Sequence, residues 1–379
     1  MMNRMMALTA CALAATLPIA AAAHSQTLEQ RLQSRLDSLQ SAGQFIGVTA
    51  AVVFRDGRGI SLAAGFSDTT RRERMRPDHK MLAGSTGKTF FAALAYQLVR
   101  DGRLELDAPI ARWLGNEPWF DSLPNARSIT VRQLMNHTSG LVRYELNPRF
   151  LDDLKAQPMR EYAPVEELRY LFGTQAAFAA GAGWDYSDTN YIVLAMILER
   201  LTGTRAYDEI SRRFLIPLAL NGTVPSNRRD IAGLSQGYAG ANNPFGPFDA
   251  VLSDGLFAFN PQFEWAGGGF ASTAVDLARW MRALYTGAVV DTTFVRADVL
   301  RGVAAPMLGA NAQYGLGAII RQTPHGAAWG HSGFFPGYLS EARWYPERGF
   351  AVAVMVNQNT PRRGPARLIA DLIEEIVKP

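Results

Sequence analysis

The chain has 379 residues, of which 48% are hydrophobic and 19% are charged, and its formal net charge at pH 7 is +4. This balance is typical of a globular protein with one large core or two moderate ones. The basic residues are dispersed apart from a cluster within residues 71–80, which carries no nucleic-acid reading motif, so no nucleic-acid partner is expected. After the N-terminal segment no stretch is apolar for long enough to span a bilayer, and no stable membrane span is expected.

Residues 1–23 have the pattern of a cleavable secretory signal. Arg4 near the start is followed by an apolar run, and three alanines at residues 21–23 fit a cleavage site. The mature chain is predicted to start near His24, in the periplasm or outside the cell. The only cysteine, Cys11, lies within this signal, so no disulfide is expected. The stretch ending at Cys11 resembles a lipoprotein processing box, but the apolar run before it is short and continues past it, which disfavours lipidation.

Hydrophobic periodicity predicts strands at both ends of the remaining chain and helices between them. The predicted helices cover residues 28–39, 85–101, 130–137, 164–172, 189–202, 273–285 and 365–377. The predicted strands cover residues 45–54, 60–67, 314–321, 327–333, 338–345 and 350–357.

This order of elements predicts an α/β (α+β) fold with one antiparallel sheet built from both termini. The first and last helices would cover one face of the sheet. Residues 24–84 and 255–379 would form this sheet-and-helix lobe, and residues 85–254 an inserted, mainly helical lobe. A cleft between the two lobes is where a functional site is expected.

Residues 81–96 combine a short apolar lead, a serine and an alanine-rich helical pattern. Ser85 precedes Lys88 by three residues, so on a helix the hydroxyl and the amine share a face. A serine is a poor nucleophile until a base takes its proton. An amine desolvated by Phe90 and Phe91 is expected to have a lowered pKa and to act as that base. The pair alone is also compatible with a serine that caps a helix and a solvated lysine.

Three other chemistries are disfavoured by the sequence. Residues 84–89 resemble a phosphate-binding loop, but the glycine that such a loop needs at position 82 is a leucine. Residues 233–237 satisfy Gly-x-Ser-x-Gly, yet they lack the strand before and the helix after that a nucleophile elbow requires. The five histidines are scattered without a helical His-Glu-x-x-His pair, so neither a metal nor another cofactor is expected.

A loop before the helix at residues 189–202 carries Tyr186 and Asp188. Two residues apart in a non-helical segment, these side chains can point to the same side. A phenol near Lys88 can shuttle a proton, because the cation favours the phenolate. The alternative is that Tyr186 packs in the core and Asp188 caps the helix.

A histidine between two glycines, in Gly-His-Ser-Gly at residues 330–333, lies on a late predicted strand. Glycines on a strand permit close backbone approach by a ligand. A backbone N–H there could pair with that of Ser85 to hold an oxyanion, with His331 beside it as a donor to substrate. The alternative is a surface histidine on an edge strand.

Ser-x-x-Lys opening a helix, Tyr-Ser-x before a helix and His-x-Gly on a late strand, in this order, resemble the penicillin-recognising serine hydrolases. That superfamily includes class C β-lactamases, serine D-alanyl-D-alanine carboxypeptidases, D-aminopeptidases and related esterases. Supporting stretches at residues 134–141, 267–273 and 330–338 extend the resemblance over nearly the whole mature chain. It implies a single catalytic domain with a β-lactamase/DD-peptidase-like fold.

The resemblance also implies roles for particular residues. Ser85 would be the acylated nucleophile, with Lys88 and Tyr186 as its proton-transfer pair, and which of the two is the base in acylation stays open. The backbone N–H groups of Ser85 and Phe334 would form the oxyanion hole. The residues implied in substrate binding are Asp188, His331, Ser332 and Gly333.

Two departures from the family pattern narrow the expected activity. Asp188 stands where the family more often has asparagine, and a carboxylate cannot donate to a substrate carbonyl. It could pair with Lys88, or attract a substrate amine while repelling an anion. His331 stands where many β-lactamases have lysine, which removes a permanent cation for a substrate carboxylate.

Both departures favour a carboxypeptidase, D-aminopeptidase, D-amino-acid amidase or esterase over an efficient class C-like β-lactamase. The expected partner is a small-molecule or peptide substrate: a peptidoglycan-like peptide, a D-amino-acid amide, an ester or a β-lactam. A non-catalytic binding or sensor protein on the same scaffold is the alternative from another functional class.

Overall fold

The structure, a computed structural model, describes residues 26–240, 243–246, 248–360 and 364–377. The predicted secretory signal, with Cys11 and the expected start at His24, lies outside these residues. Within them, no helix combines the length and the apolar character needed to cross a membrane.

The described residues form fourteen β-strands, several of them only two residues long. They are β1 (Gly47–Phe54), β2 (Gly59–Asp68), β3 (Glu73–Arg74), β4 (Met81–Leu82), β5 (Val224–Pro225), β6 (Leu252–Ser253), β7 (Leu256–Phe257), β8 (Phe270–Ser272), β9 (Val303–Ala304), β10 (Gln313–Tyr314), β11 (Ile319–Thr323), β12 (Gly326–Phe335), β13 (Tyr338–Tyr345) and β14 (Phe350–Val356).

Helices occupy most of the chain between β4 and β9 and both ends of the described chain. They are α1 (Leu28–Ser41), α2 (Lys88–Arg100), α3 (Ala111–Leu114), α4 (Val131–Met135), α5 (Pro148–Ala156), α6 (Pro164–Leu168), α7 (Thr189–Thr202), α8 (Ala206–Ile210), α9 (Ala274–Tyr285), α10 (Thr292–Phe294) and α11 (Pro365–Ile376). A 3₁₀ turn, Gly84–Gly87, leads directly into α2.

Nine strands form one antiparallel sheet in the order β3-β2-β1-β14-β13-β12-β11-β10-β9. The two ends of the chain meet at its centre, where Val48 of β1 pairs with Val356 of β14. The predicted antiparallel sheet built from both termini is confirmed. The division into two lobes stays a prediction.

The two terminal helices cover one face of this sheet, as predicted. Leu32 and Leu36 of α1 and Ile369 of α11 pack against buried valines that alternate along β1 and β14. The intervening residues of the same strands face the other way, onto α9 and the large core that includes the helices between β4 and β9. Because side chains alternate across a strand, one sheet holds both cores together.

One predicted strand, residues 314–321, is wrong. The structure has two short strands there, β10 and β11, which pair with each other as a hairpin. The chain reverses at Gly317, whose φ of 72° suits glycine far better than residues with a side chain. Residues 314–321 are buried throughout, so the pattern gave no sign of the turn.

Candidate active site

Ser85 lies on the 3₁₀ turn Gly84–Gly87, which rests against strand β12. Gly84 has a φ of 51°, and a Cβ there would collide with the backbone of Phe334. A Cβ on Gly333 would collide with the carbonyl oxygen of Ala83. The two glycines therefore let the serine turn approach β12 closely, and they bring the backbone beside Ser85 next to Phe334, the two residues predicted to form the oxyanion hole. The close approach expected of a ligand at Gly333 is made instead by the protein's own turn.

Lys88 opens α2 one turn after Ser85 and is fully buried. Its Nζ donates to Ser85 Oγ at 3.0 Å, to Asp188 Oδ1 at 2.6 Å and, through a short hydrogen bond, to the carbonyl oxygen of Gly267. An ammonium has three N–H donors. All three are used, and one of them points at the predicted nucleophile.

The expectation that burial lowers the pKa of Lys88 is corrected by the structure. Burial does act to lower it, but the Asp188 carboxylate and the Tyr186 phenol outweigh burial, so the Lys88 pKa is raised. The rings beside the amine are those of Tyr186 and Tyr191, whose centroids lie 5.0 and 5.6 Å from Nζ. The phenylalanines expected there pack elsewhere, and Phe90 for instance stacks on a buried tryptophan ring at 4.3 Å.

Tyr186 lies on the loop before α7, with its ring against Lys88. Its hydroxyl oxygen is buried and has no hydrogen-bond partner among the residues that the structure describes. Burial raises the pKa of the phenol, and the neighbouring Lys88 charge and the Ser85 hydroxyl act in the opposite direction. A buried hydroxyl without a partner beside Ser85 suits a proton carrier.

His331 is almost fully buried, and its two ring nitrogens are both engaged. Nδ1 lies 2.6 Å from the carbonyl oxygen of Ser332, which can only accept, so Nδ1 carries the proton and donates it. Nε2 then accepts from the Tyr314 hydroxyl at 2.8 Å. Burial, with the Lys88 charge, lowers the pKa of His331 to about 3, so the ring is neutral. The expected donation from His331 to substrate is therefore corrected, because neither nitrogen has a free N–H.

Four further acidic residues line the same cleft and were not predicted from the sequence: Glu145, Glu264, Glu341 and Asp371. Burial raises the pKa of Glu145 to about 7, although Arg143 donates to it at 2.7 Å. Burial likewise raises the pKa of Glu264 to about 8, and its carboxylate accepts the N–H of Gly269 at 3.0 Å. Glu145 and Glu264 belong to irregular segments far apart in the chain, and no motif marks them.

These residues meet at a cleft of about 950 Å³. The predicted site residues that line it are Ser85, Tyr186, Asp188, His331, Ser332, Gly333 and Phe334. Lys88 lies behind Ser85, beneath the cleft surface. Aromatic side chains form much of the remaining wall, among them Trp184, Phe245 and Phe263. The arrangement can hold an apolar group beside a serine whose hydroxyl contacts a cation.

The alternative nucleophile in residues 233–237 lies elsewhere. Ser235 lines a separate cavity of about 440 Å³ together with charged residues such as Asp68 and Arg71. Its buried hydroxyl faces the sulfur of Met75 at 3.5 Å, and no helix follows it directly. The histidine of that cavity, His79, contacts Glu73 through Nε2 and the Arg76 N–H through Nδ1, so within the described ranges Ser235 has no contact with a base that would activate it.

Comparisons with known proteins agree with this geometry. A family model described as Beta-lactamase matches residues 26–374. Penicillin-binding protein 4* of Bacillus subtilis (strain 168) is 26% identical over 324 residues, which cover 83% of this chain and 68% of that protein. Esterase EstB of Burkholderia gladioli is 27% identical over 391 residues, which cover 92% of this chain and 94% of that protein. The crystal structure of a D-stereospecific amidohydrolase from Streptomyces sp. matches with a TM-score of 0.76 at 27% identity, covering 90% of this chain and 96% of that one. The chain therefore belongs to the Beta-lactamase family and is a serine hydrolase.

Proposed function

We propose that the protein is an exported serine hydrolase that cleaves amide or ester bonds through an acyl-enzyme on Ser85. Its preferred substrates are amides or esters of D-amino acids with a free amine and without a carboxylate beside the scissile bond. The observation that carries the proposal is the contact of Ser85 Oγ with the Lys88 ammonium at 3.0 Å, on the floor of an open cleft.

The proton of Ser85 passes to Tyr186 rather than to Lys88. Asp188 keeps Lys88 charged, and an ammonium whose three N–H groups all donate has no lone pair to accept a proton. The phenol is the remaining group beside Ser85, and the Lys88 charge favours its phenolate form. Lys88 thus acts as the cation that makes Tyr186 a usable base.

Acylation then follows from these positions. With Tyr186 as the phenolate, Ser85 Oγ bonds to the substrate carbonyl carbon while its proton moves to the phenolate oxygen, and the backbone N–H groups of Ser85 and Phe334 hold the oxyanion. The bond to the leaving amine or alcohol breaks as Tyr186 returns the proton to it. A water molecule repeats the sequence on the acyl-enzyme and frees the acid.

The substrate preference rests on the charges of the cleft. Asp188 lines it beside Lys88, and the neutral His331 provides no cation for a substrate carboxylate. Three arginines also line the cleft, Arg143, Arg321 and Arg367. The first is paired with Glu145 at 2.7 Å and the second with Glu341 at 3.0 Å. A substrate ammonium would gain from the Asp188 carboxylate, whereas a carboxylate would be repelled. The aromatic wall suits an apolar side chain. The similarity to the D-stereospecific amidohydrolase from Streptomyces sp. supports amides as substrates, and the similarity to esterase EstB supports esters.

A substrate panel tests the proposal. We expect the highest kcat/KM for two substrates with a free amine, D-phenylalanine amide and D-phenylalanine methyl ester. Their kcat/KM should be at least about tenfold above that of N-acetyl-D-phenylalanine amide, nitrocefin and a D-alanyl-D-alanine peptide, because one modest electrostatic contact has an effect of this size. Intact-protein mass spectrometry during p-nitrophenyl ester turnover should show an acyl adduct that Ser85→Ala lacks. A strong preference for nitrocefin or the carboxylated peptide would contradict the substrate class, and turnover by Ser85→Ala would contradict the mechanism.

Export is tested separately. Expression of the full chain in a bacterial host should yield a periplasmic or secreted product whose measured mass corresponds to a start near His24. A cytoplasmic product that retains residues 1–23 would contradict export while leaving the hydrolase proposal intact.

A further inference from the structure

His137 is a buried histidine beneath the cleft that the proposed chemistry does not use. It is fully buried directly after α4, and its φ of 62° is unusual for a residue with a side chain. Such a backbone conformation is strained and persists only where the surroundings enforce it. The strained backbone therefore indicates that the surrounding contacts of His137 hold it in a specific place.

The contacts of His137 converge on the loop that carries Tyr186. The carbonyl oxygen of His137 accepts the N–H of Asp185 at 3.1 Å, and its Nδ1 accepts the N–H of Ser187 at 3.3 Å. The residues on either side of Tyr186, Asp185 and Ser187, thus both donate their backbone N–H groups to His137. The side-chain amide of Asn190 also donates to Nδ1, at 3.0 Å.

The imidazole ring itself lies against the phenol. The ring centroids of His137 and Tyr186 are 4.2 Å apart with planes inclined by 35°. Lys88 Nζ also lies over the phenol ring, 5.0 Å from its centroid. Tyr186 is therefore in contact both with the imidazole and with the ammonium that contacts Ser85.

The ring can occupy this place only as a neutral group. Two donors converge on Nδ1, so the proton is on Nε2, which is buried and without a hydrogen-bond partner in the described part of the chain. Burial, the Lys88 charge and that of Arg143 hold the pKa of His137 well below its usual value. Lys88 and the Arg143 guanidinium, 5.7 Å from the Tyr186 ring centroid, already place two cations beside the phenol, and the neutral imidazole adds no third.

We propose that His137 is a positioning residue that holds the Tyr186 phenol in reach of Ser85 through two backbone hydrogen bonds and a ring contact. The inference rests on the proposed role of Tyr186. A positioning role predicts loss of kcat rather than of substrate affinity, because the misplaced group is needed in the transition state.

Two variants separate the two kinds of contact. His137→Asn keeps an acceptor near the place of Nδ1 and tolerates the positive φ, but it removes the ring. His137→Phe keeps a ring and removes the acceptor. We expect each to lower kcat by about 10- to 100-fold with KM changed by less than about threefold, the range for a displacement near 1 Å. His79→Asn is the matched control, since His79 is also buried but pairs with Glu73 at the other cavity. Its kcat should match that of the wild type.

A double-mutant cycle with Tyr186→Phe tests whether His137 acts through Tyr186. If His137 acts through Tyr186, then His137→Asn causes no further loss of kcat in the Tyr186→Phe background. An equal loss in both backgrounds, or full kcat for both His137 variants, would overturn the inference. Full activity of Tyr186→Phe alone would instead overturn the proposed mechanism. Circular dichroism and the urea midpoint of each variant show whether it is folded, and if one His137 variant is not, the other still provides the cycle.

Discussion

The Lys88 ammonium and the Asp188 carboxylate lie 2.6 Å apart beneath the cleft, and Lys88 Nζ at the same time contacts Ser85 Oγ at 3.0 Å. The cation beside the nucleophile is thus fixed by the Asp188 carboxylate. Through this contact the Asp188 carboxylate raises the pKa of Lys88, and its charge also raises that of the neighbouring Tyr186.

Removing Lys88 should separate its catalytic role from its structural one. We expect Lys88→Met to lower kcat by about 10³-fold or more, since Tyr186 loses the cation that favours its phenolate. The variant should also lose stability to urea, because Asp188 remains without its partner. The side chain of Asp188 is 14% exposed, so the loss should fall below the roughly 3–5 kcal/mol known for fully buried pairs. The double variant Lys88→Met with Asp188→Asn should regain stability but not turnover, and recovery of kcat would show that Lys88 is dispensable.

The pH dependence of acylation should depend on Asp188. Its charge raises the pKa of both Lys88 and Tyr186. Acylation requires that Lys88 or Tyr186 first loses its proton. Without the Asp188 charge, either group loses it at a lower pH. We expect the ascending limb of kcat/KM against pH to move down by about one unit in Asp188→Asn, measured with a neutral p-nitrophenyl ester. An unmoved or raised limb would show that neither group controls acylation.

Close packing at Gly333 should be needed for both stability and turnover. A methyl group there would meet the carbonyl oxygen of Ala83, so Gly333→Ala must push the serine turn away from β12. Overpacking of this kind costs about 1–3 kcal/mol, and the displaced turn should lower kcat by about tenfold or more. Gly59→Ala is the matched control on β2, where the nearest atoms to an added Cβ are 3.7 Å away. Equal effects of the two substitutions on kcat would contradict the account.

Glu264 should make the protein less stable as the pH rises. Its folded-state pKa of about 8 lies above the ordinary value of 4.5, because burial disfavours the charged carboxylate. Between these values the folded state binds more protons than the unfolded one, so the free energy of unfolding falls with increasing pH through this window. Glu264→Gln should remove that part of the decline, by up to a few kcal/mol between pH 5 and 8 in urea titrations. A slope equal to that of the wild type would show that Glu264 is solvated.

The sequence predicted much of the fold because its strands and helices have clear hydrophobic periods. Strand β13 at Tyr338–Tyr345 and helix α7 at Thr189–Thr202 coincide with their predicted bounds. The strand predicted at residues 314–321 failed because the turn at Gly317 lies inside a stretch that is buried throughout, so burial gives no sign of where the strand is broken.

The site was predictable where short spacing determines geometry. Ser85 and Lys88 are three residues apart at the start of a helix, and their contact follows from that spacing. The contact of Lys88 with Asp188, one hundred residues away, was one of the alternatives that the sequence allowed. The raised pKa of Lys88 was not predictable, because it depends on whether that carboxylate outweighs burial. The hydrogen bond between His331 and Tyr314 was not predictable either, because Tyr314 belongs to the hairpin of β10 and β11, which the sequence pattern did not reveal.

The pairing of β1 with β14 determines when the central sheet can fold during synthesis of the chain. While the chain is being synthesised, β1 and β2 can form only a small hairpin, and such a hairpin is marginally stable in water. The central seam of the sheet closes only after β14 has left the ribosome. Pairing across so long a loop is slow. The hairpin of β1 and β2 therefore waits for β14, and we expect closure of this seam to limit the rate at which the sheet folds.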